Sequence, residues 1–266
     1  MPKFGANITM MFREVPLLER IGAAREAGFR AVECLWPYEI AAEDFRAELD
    51  RHELELALIN TPLGPLDAPH FGLLACAGRE AEFLAAIDET LRYATVACAT
   101  KIHVMAGDWP HTSENRAAMV ANLRAAAPKA ERAGITLCLE PINARDRPHW
   151  FLKGSPQTLE ILDEVASPFV QLLFDVYHLQ ILEGDLVRKL EACIDRIGHV
   201  QISGVPERHE PDEGEVNIYA VLATLDRLGY AGHVGCEYNP RGATRDGLGW
   251  AARYGVTPKD NNGGTT

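Results

Sequence analysis

Short apolar runs alternate along the whole chain with longer stretches that have helical periodicity. The apolar runs predict eight strands, which cover residues 4–9, 30–36, 54–60, 101–107, 135–140, 170–175, 199–203 and 233–238. The stretches between them, such as 16–28 and 79–97, place apolar residues at i, i+3 and i+4, the spacing of an amphipathic helix. Strict alternation of strand and helix predicts a parallel sheet with helical crossovers.

The length of the chain, taken together with this alternation, favours one particular fold. The chain has 266 residues, and a barrel of eight β/α units is typically about 250 residues long. We therefore predict a single α/β domain, a (β/α)8 TIM barrel, over residues 1–254. The polar, glycine-rich tail, residues 255–266, is predicted to be disordered. Where a glycine follows a helix, as at 131–140, we expect the chain to turn back into the next strand.

Oxygen-bearing side chains end four successive predicted strands. Glu140, Asp175 and Glu237 are carboxylates at the ends of their runs, and Gln201 is an amide near the end of the run between the last two. Because the C-terminal ends of barrel strands meet at one face, these side chains converge. Any one carboxylate alone is more simply a helix cap or a surface ion pair, but the set of four favours a cation site. An all-oxygen set favours Mg²⁺ or Mn²⁺, since zinc more often recruits Cys or His.

The overall charge and the cysteines limit the classes of partner. The formal net charge is −12 at pH 7, which repels phosphate backbones and disfavours a nucleic-acid partner, while a small anion needs only local positive charge. The six cysteines form no CxxC pair and are interpreted as reduced thiols. No apolar run approaches the roughly 20 residues that span a membrane. We expect a cytoplasmic protein without a membrane partner, and association into a homo-oligomer stays open.

Motifs around the four predicted ligands resemble those of one family. They are LEPIN (139–143), FDVYHLQ (174–180), HVQIS (199–203), GEVNI (214–218) and GCEYNPRGATRDGLGW (235–250). These segments are similar to the hydroxypyruvate isomerase family, which belongs to the xylose-isomerase-like TIM barrels, and the resemblance covers about residues 3–252. The resemblance implies that Glu140, Asp175, Gln201 and Glu237 are metal ligands. It also implies that Glu140 and Glu237 are the proton donor and acceptor.

The chemistry of such an enzyme agrees with this set of residues. An aldose–ketose type isomerisation forms an enediolate, so it needs a polarised carbonyl and a carboxylate that moves the carbon proton. The sequence therefore predicts a metal-assisted isomerase of a small anionic oxo acid, with no organic cofactor. Conversion of hydroxypyruvate to 2-hydroxy-3-oxopropanoate is the first choice. A four-carbon 2-oxo-tetronate is the second, because the motifs do not separate these two substrates.

Two further residues are predicted to contact the substrate. His178, three residues after Asp175, is either a histidine of no consequence or a donor to a substrate oxygen, and the resemblance favours the donor. Arg208 follows the seventh strand and is either solvated surface or a two-donor fork for the substrate carboxylate. The fork is our choice because the substrate is anionic. His103 and Arg79 stay open between substrate contact and a purely structural role.

Other activities on the same barrel remain as alternatives. They are a ketose 3-epimerase, a barrel that binds a sugar acid without turnover, and a DNA-repair endonuclease. The endonuclease would need several ligand histidines and a basic groove, which the acidic composition and Gln201 disfavour. The long connections 61–78 and 143–154 follow strands and are expected to form lids or substrate walls on the active face.

Overall fold

The computed structural model describes residues 1–63 and 70–257 of the chain. Its strands form one closed parallel barrel in sequence order, in which the last strand pairs with the first. They are β1 (Lys3–Asn7), β2 (Ala31–Cys34), β3 (Glu55–Asn60), β4 (Lys101–His103), β5 (Thr136–Leu139), β6 (Val170–Asp175), β7 (Ile197–Ile202) and β8 (His233–Cys236).

Helices follow the strands and cover the outside of the barrel. They are α1 (Glu19–Glu26), α2 (Ala42–His52), α3 (Glu80–Ala97), α4 (Ser113–Ala133), α5 (Ser155–Val165), α6 (Val176–Leu182), α7 (Leu186–Cys193) and α8 (Ile218–Arg227). Between β6 and β7 lie both α6 and α7, and a 3-10 segment, Thr244–Tyr254, follows β8. Within the described ranges, none of the helices is long and apolar enough to cross a membrane.

The prediction of a single (β/α)8 barrel is confirmed. Each predicted run overlaps one of the strands, although β1 and β7 begin one and two residues before their runs, and β4 ends at His103, so that residues 104–107 of its run lie outside it. The predicted disordered tail lies largely outside the described residues, which end at 257, so its disorder stays a prediction. The same holds for the domain boundary at residue 254 and for positions 64–69 of the predicted lid.

Local sequence signals explain where the helices begin and end. Asn217 precedes α8, and its side chain accepts a hydrogen bond from the backbone N–H of Ala220 at 3.1 Å, which satisfies one of the free donors of the first turn. Gly134 ends α4 with a φ of +67°, a left-handed conformation that glycine adopts without strain. The chain then enters β5 directly, as the glycine after the helix predicted.

The barrel brings the four predicted ligands to its C-terminal face. Glu140 directly follows β5, Asp175 is the last residue of β6, and Glu237 directly follows β8. Gln201 is the penultimate residue of β7 and pairs in register with Asp175 on one side. All of these side chains are buried. In TIM barrels this face carries the active site.

Candidate active site

Glu140, Asp175 and His178 form a buried group at the mouth of the barrel. One ligand-capable atom from each of the three lies within 4.8 Å of the others. His178 Nε2 is 3.8 Å from Glu140 Oε1 and 3.6 Å from Asp175 Oδ2. The group arises because β5 and β6 are neighbours and because α6 starts immediately after Asp175, so His178 falls in its first turn.

Among the buried oxygen atoms that have no hydrogen-bond partner in the described residues, three belong to predicted ligands. They are Glu140 Oε1, Asp175 Oδ2 and Gln201 Oε1. Buried polar atoms in folded proteins are nearly always paired, so such atoms call for an explanation. Two carboxylate oxygens and one carboxamide oxygen are a donor set that suits a hard divalent cation. The residues present therefore fit the predicted Mg²⁺ or Mn²⁺.

Arg208 carries its positive charge into the site and does not lie on the open surface. Its Nη2 atom is 3.1 Å from Glu237 Oε2 and 3.5 Å from Asp175 Oδ2, and its side chain is 21% exposed. The guanidinium carbon also lies 4.9 Å from the ring centroid of Tyr177, within the range of a cation–π contact. Arg208 is thus a partly accessible cation beside the ligand carboxylates.

Crowding of negative charge shifts the ionisation of the carboxyl groups. Burial raises the pKa of Glu140 well above its usual range, and the nearby carboxylates of Glu237 and Asp175 raise it further. Burial likewise raises the pKa of Asp175 to about 6 and that of Glu237 to about 8, although Arg208 opposes both shifts. Since one arginine serves three buried carboxylates, a further cation would stabilise their ionised forms.

Hydrogen bonds from Asn143 determine which nitrogen of His178 carries the proton. The Asn143 Oδ1 atom accepts from the backbone N–H groups of Arg145 and Asp146 at 2.9 and 3.1 Å, which fixes the orientation of the amide. Its Nδ2 atom then donates to His178 Nδ1 at 2.7 Å. Burial lowers the pKa of His178 well below its usual value, so the ring is neutral. The proton is therefore on Nε2, which points towards Glu140 and Asp175 as a donor.

The segment after β5 packs back onto the end of its own strand. The indole Nε1 of Trp150 donates to the backbone carbonyl of Glu140 at 2.9 Å, and Trp150 is fully buried. This contact fixes the backbone from which the Glu140 side chain extends. The expected substrate wall at 143–154 is thus also a support for one of the predicted ligands.

The sequence left the roles of His103 and Arg79 open, and the structure places the two residues in different surroundings. His103 Nδ1 lies 3.3 Å from Glu140 Oε2, and burial lowers the pKa of His103 to about 3. Arg79 lies at the start of α3 and forms a two-bond ion pair with Glu82 of the same helix, at 2.6 and 2.9 Å. His103 therefore borders the site, whereas Arg79 is a surface residue paired within its own helix.

Glu33 is a buried acidic residue that the sequence analysis missed. It lies in β2, is fully buried, and accepts a hydrogen bond from Gln201 Nε2 at 2.9 Å. Its other oxygen contacts His199 Nε2. The signal was a glutamate inside the apolar run 30–36, where an uncompensated charge is costly. Both of these partners, Gln201 and His199, lie more than 160 residues away in sequence, so the run alone could not reveal them.

Comparisons with known proteins identify the family to which this chain belongs. Residues 21–254 match the family described as "Xylose isomerase-like TIM barrel", and the chain belongs to that family. The chain is 47% identical over 257 residues to a 2-oxo-tetronate isomerase of Cupriavidus necator, covering 96% of this chain and 99% of the relative. It is 36% identical to the hydroxypyruvate isomerase of Escherichia coli, covering 96% of this chain and 100% of the relative.

These relatives show that the chain is an isomerase, as the resemblance predicted. A solved structure described as "AP endonuclease, family 2" from Brucella melitensis is also similar, with a TM-score of 0.92 and 43% identity over 96% of this chain and 99% of that one. The two chains therefore share the barrel fold over nearly their whole length. The roles of individual site residues stay predictions.

Proposed function

We propose that the protein is a divalent-metal-assisted isomerase of a short 2-oxo hydroxy acid, and that 2-oxo-tetronate is its substrate. The observation that carries this proposal is the set of buried oxygens on Glu140, Asp175 and Gln201 at strand ends, which have no hydrogen-bond partner in the part of the chain that the structure describes. Such a set stabilises a folded barrel poorly by itself but suits Mg²⁺ or Mn²⁺. When bound, the cation would polarise the substrate carbonyl as a Lewis acid.

Glu140 and Glu237 are the proposed proton donor and acceptor. Isomerisation moves a proton from the carbon that bears the hydroxyl to the neighbouring carbonyl carbon, through an enediolate, while the hydroxyl proton passes to the former carbonyl oxygen. Both glutamates have raised pKa values from burial, that of Glu237 lying at about 8. A bound cation would lower both values again by stabilising the ionised carboxylates, the form in which a general base accepts a proton. Which of the two glutamates acts first is left open.

His178 and Arg208 are proposed to bind the substrate. The Nε2–H of His178 is directed towards the ligand carboxylates, so it can donate to a substrate oxygen held between them. Arg208 supplies local positive charge in a protein of net charge −12, and its planar fork matches a carboxylate. Both 2-oxo-tetronate and hydroxypyruvate carry that group, and a neutral ketose does not.

The choice of a four-carbon substrate follows the relatives. Those named 2-oxo-tetronate isomerase share a larger fraction of their residues with this chain than those named hydroxypyruvate isomerase. This preference replaces the order drawn from the sequence, in which hydroxypyruvate came first. The test is turnover of both oxo acids and of a neutral ketose by demetallated protein, with and without added Mg²⁺ or Mn²⁺. We expect metal-dependent turnover with 2-oxo-tetronate preferred, and full activity without metal would contradict the proposal.

A nucleic-acid function is the second candidate because of the structure described as an AP endonuclease. The net charge of −12 weighs against it, since binding to DNA depends on neutralising phosphates with Lys and Arg. Gln201 also stands where a zinc endonuclease would favour a nitrogen ligand. Incubation with an oligonucleotide that contains an abasic site, with Zn²⁺, Mg²⁺ or Mn²⁺ present, separates the two. We expect no cleavage.

The proposed cellular location and partners of the enzyme are those expected from the sequence. All six cysteines are free thiols, which supports a reducing compartment and hence the cytoplasm as the proposed location. The proposed partners are the small anionic oxo acid and, as an open alternative to a monomer, further copies of the same chain. Sedimentation of the purified protein measures the second point directly.

A further inference from the structure

Glu33 lies inside the barrel, across from the strand that carries Gln201. β2 and β7 are separated by β8 and β1 around the closed barrel, so a contact between them crosses the interior. Three donors meet the Glu33 carboxylate. Oε2 accepts from Gln201 Nε2 at 2.9 Å and from Asn7 Nδ2 at 3.4 Å, and Oε1 contacts His199 Nε2. Both carboxylate oxygens are therefore engaged.

Gly235 of β8 leaves the space that Glu33 occupies. It pairs in register with Gln201 of β7, and a Cβ atom added to Gly235 would collide with the Glu33 carboxylate. The glycine is needed here for space, because any larger residue would displace the carboxylate from the interior. Strands β1, β2, β7 and β8 thus each contribute to the position of one buried acidic group.

The bond to Glu33 sets the direction of the Gln201 amide. A carboxylate only accepts hydrogen bonds, whereas a carboxamide has one donor nitrogen and one acceptor oxygen. Because Gln201 Nε2 is held by Glu33 Oε2, the amide oxygen of Gln201 must point the other way. That oxygen is buried, and within residues 1–63 and 70–257 it has no hydrogen-bond partner.

We propose that Glu33 is a positioning residue for the metal site, and that it fixes the Gln201 amide so that its oxygen faces the ligand carboxylates. The inference rests on the proposed function, since it takes Gln201 as a ligand. Without the carboxylate acceptor, the amide can turn over and present N–H groups, which repel a cation. His199 holds the second oxygen of Glu33 and so keeps the carboxylate aimed at Gln201.

A double-mutant cycle on Mn²⁺ affinity tests this role in the full-length protein. Glu33→Gln keeps the volume but replaces one acceptor oxygen by a donor nitrogen, so it should raise the Mn²⁺ Kd about 10–100-fold, the usual effect of losing a partner that orients a ligand. Gln201→Met keeps an unbranched side chain of similar length without the amide. In the Gln201→Met background, Glu33→Gln should change the Kd less than about twofold, because no amide remains to orient.

Two further variants separate positioning from charge and from folding. Glu33→Asp keeps the charge and both acceptors but withdraws them by one methylene, so it should also weaken Mn²⁺ binding if position matters. Glu183→Gln is the matched control, because Glu183 also accepts from several donors, among them Ser155 N–H and the Lys189 ammonium, outside the site. It should leave the Mn²⁺ Kd unchanged.

The cycle distinguishes failure of this inference from failure of the proposed function. If Gln201→Met weakens Mn²⁺ binding but Glu33→Gln does not, Gln201 remains a ligand and the positioning role is wrong. Equal losses from Glu33→Gln in both backgrounds would also overturn the role, since Glu33 would then act by charge or fold. If Gln201→Met leaves the Kd unchanged, the ligand assignment fails and the inference falls with it.

Discussion

Two buried acidic regions of the barrel differ in how their oxygens are satisfied. In the interior, both oxygens of Glu33 contact donors from β1 and β7. At the mouth, Glu140 and Asp175 each keep one buried oxygen without a hydrogen-bond partner among the described residues. The same chemical group is thus fully satisfied in one region and left partly unsatisfied in the other. Burying an acceptor without a hydrogen-bond partner lowers the stability of the fold. The carboxylates at the mouth are therefore explained by function and not by stability.

The largest effect is expected from the carboxylates at the mouth. Glu140→Gln and Glu237→Gln keep nearly the same volume and an oxygen that a metal can use, but they cannot exchange a proton. Each should lower kcat by about 10²–10⁴, as loss of a general acid or base does. Metal affinity, measured by titration with Mn²⁺, should fall less steeply than turnover. Wild-type turnover by Glu237→Gln would refute the two-glutamate mechanism. Glu183→Gln, a Glu-to-Gln change outside the site, is the control variant, purified and assayed in the same way.

Substitutions of Arg208 test whether the mouth of the barrel also binds an anion. Arg208→Ala should raise KM for the oxo acid by about 10–100-fold, the equivalent of a charge-assisted hydrogen bond. A neutral ketose should lose much less. Arg208→Lys keeps the charge without the planar fork and should still bind the oxo acid more weakly than wild type. Equal losses on both substrates would instead mean that Arg208 mainly balances Asp175 and Glu237, and would favour a neutral sugar and an epimerase.

Asn143 offers a smaller change that leaves all four predicted metal ligands in place. Asn143→Asp can still accept from the backbone N–H groups of Arg145 and Asp146, but it places an acceptor against His178 Nδ1. The imidazole proton should then move to Nδ1, so that Nε2 no longer donates into the site. We expect kcat/KM to fall about tenfold, with the tautomer checked by the ¹⁵N shifts of the ring. Unchanged activity together with a changed tautomer would mean that His178 does not donate to the substrate.

The last expected effect is on stability, which should fall when the interior carboxylate is changed and should stay the same or rise slightly when Asp175 at the mouth is changed. In metal-free protein, Glu33→Gln should lower the free energy of unfolding by about 1–3 kcal/mol, because a buried charge-assisted bond is lost. Asp175→Asn removes a buried charge that lacks a full set of partners and keeps the cap on Tyr177 N–H. It should leave stability unchanged or raise it by about 1 kcal/mol or less. Chemical denaturation of the two variants beside wild type measures both signs.

Much of the fold and of the mouth could be predicted from the sequence because each strand carries its own signal. An apolar run that ends on a carboxylate, such as 135–140 with Glu140, indicates both a strand and a functional end. The C-terminal face then follows from the topology of a parallel barrel. Arg208 was harder, since a loop arginine has no periodicity, and only the anionic substrate of the resembled family pointed to it.

The interior was missed because its partners are determined by register across the barrel. Glu33 was visible as a charged residue in an apolar strand, yet its contacts with Asn7, His199 and Gln201 depend on how β1, β2 and β7 are staggered. Spacing along the chain does not encode that stagger. A small residue at Gly235 and two polar residues at i and i+2 of β7 were the remaining signals, and they become informative only together.

The location of a bound cation tests the central claim most directly. Crystals grown with Mn²⁺ and measured for anomalous scattering should show one strong peak among Glu140, Asp175, Glu237 and the Gln201 amide oxygen, at metal–oxygen distances of roughly 2.0–2.6 Å. No peak should lie against Glu33, whose oxygens are already satisfied. A peak beside Glu33, or at a place that none of the four predicted ligands reaches, would contradict the account of the two regions.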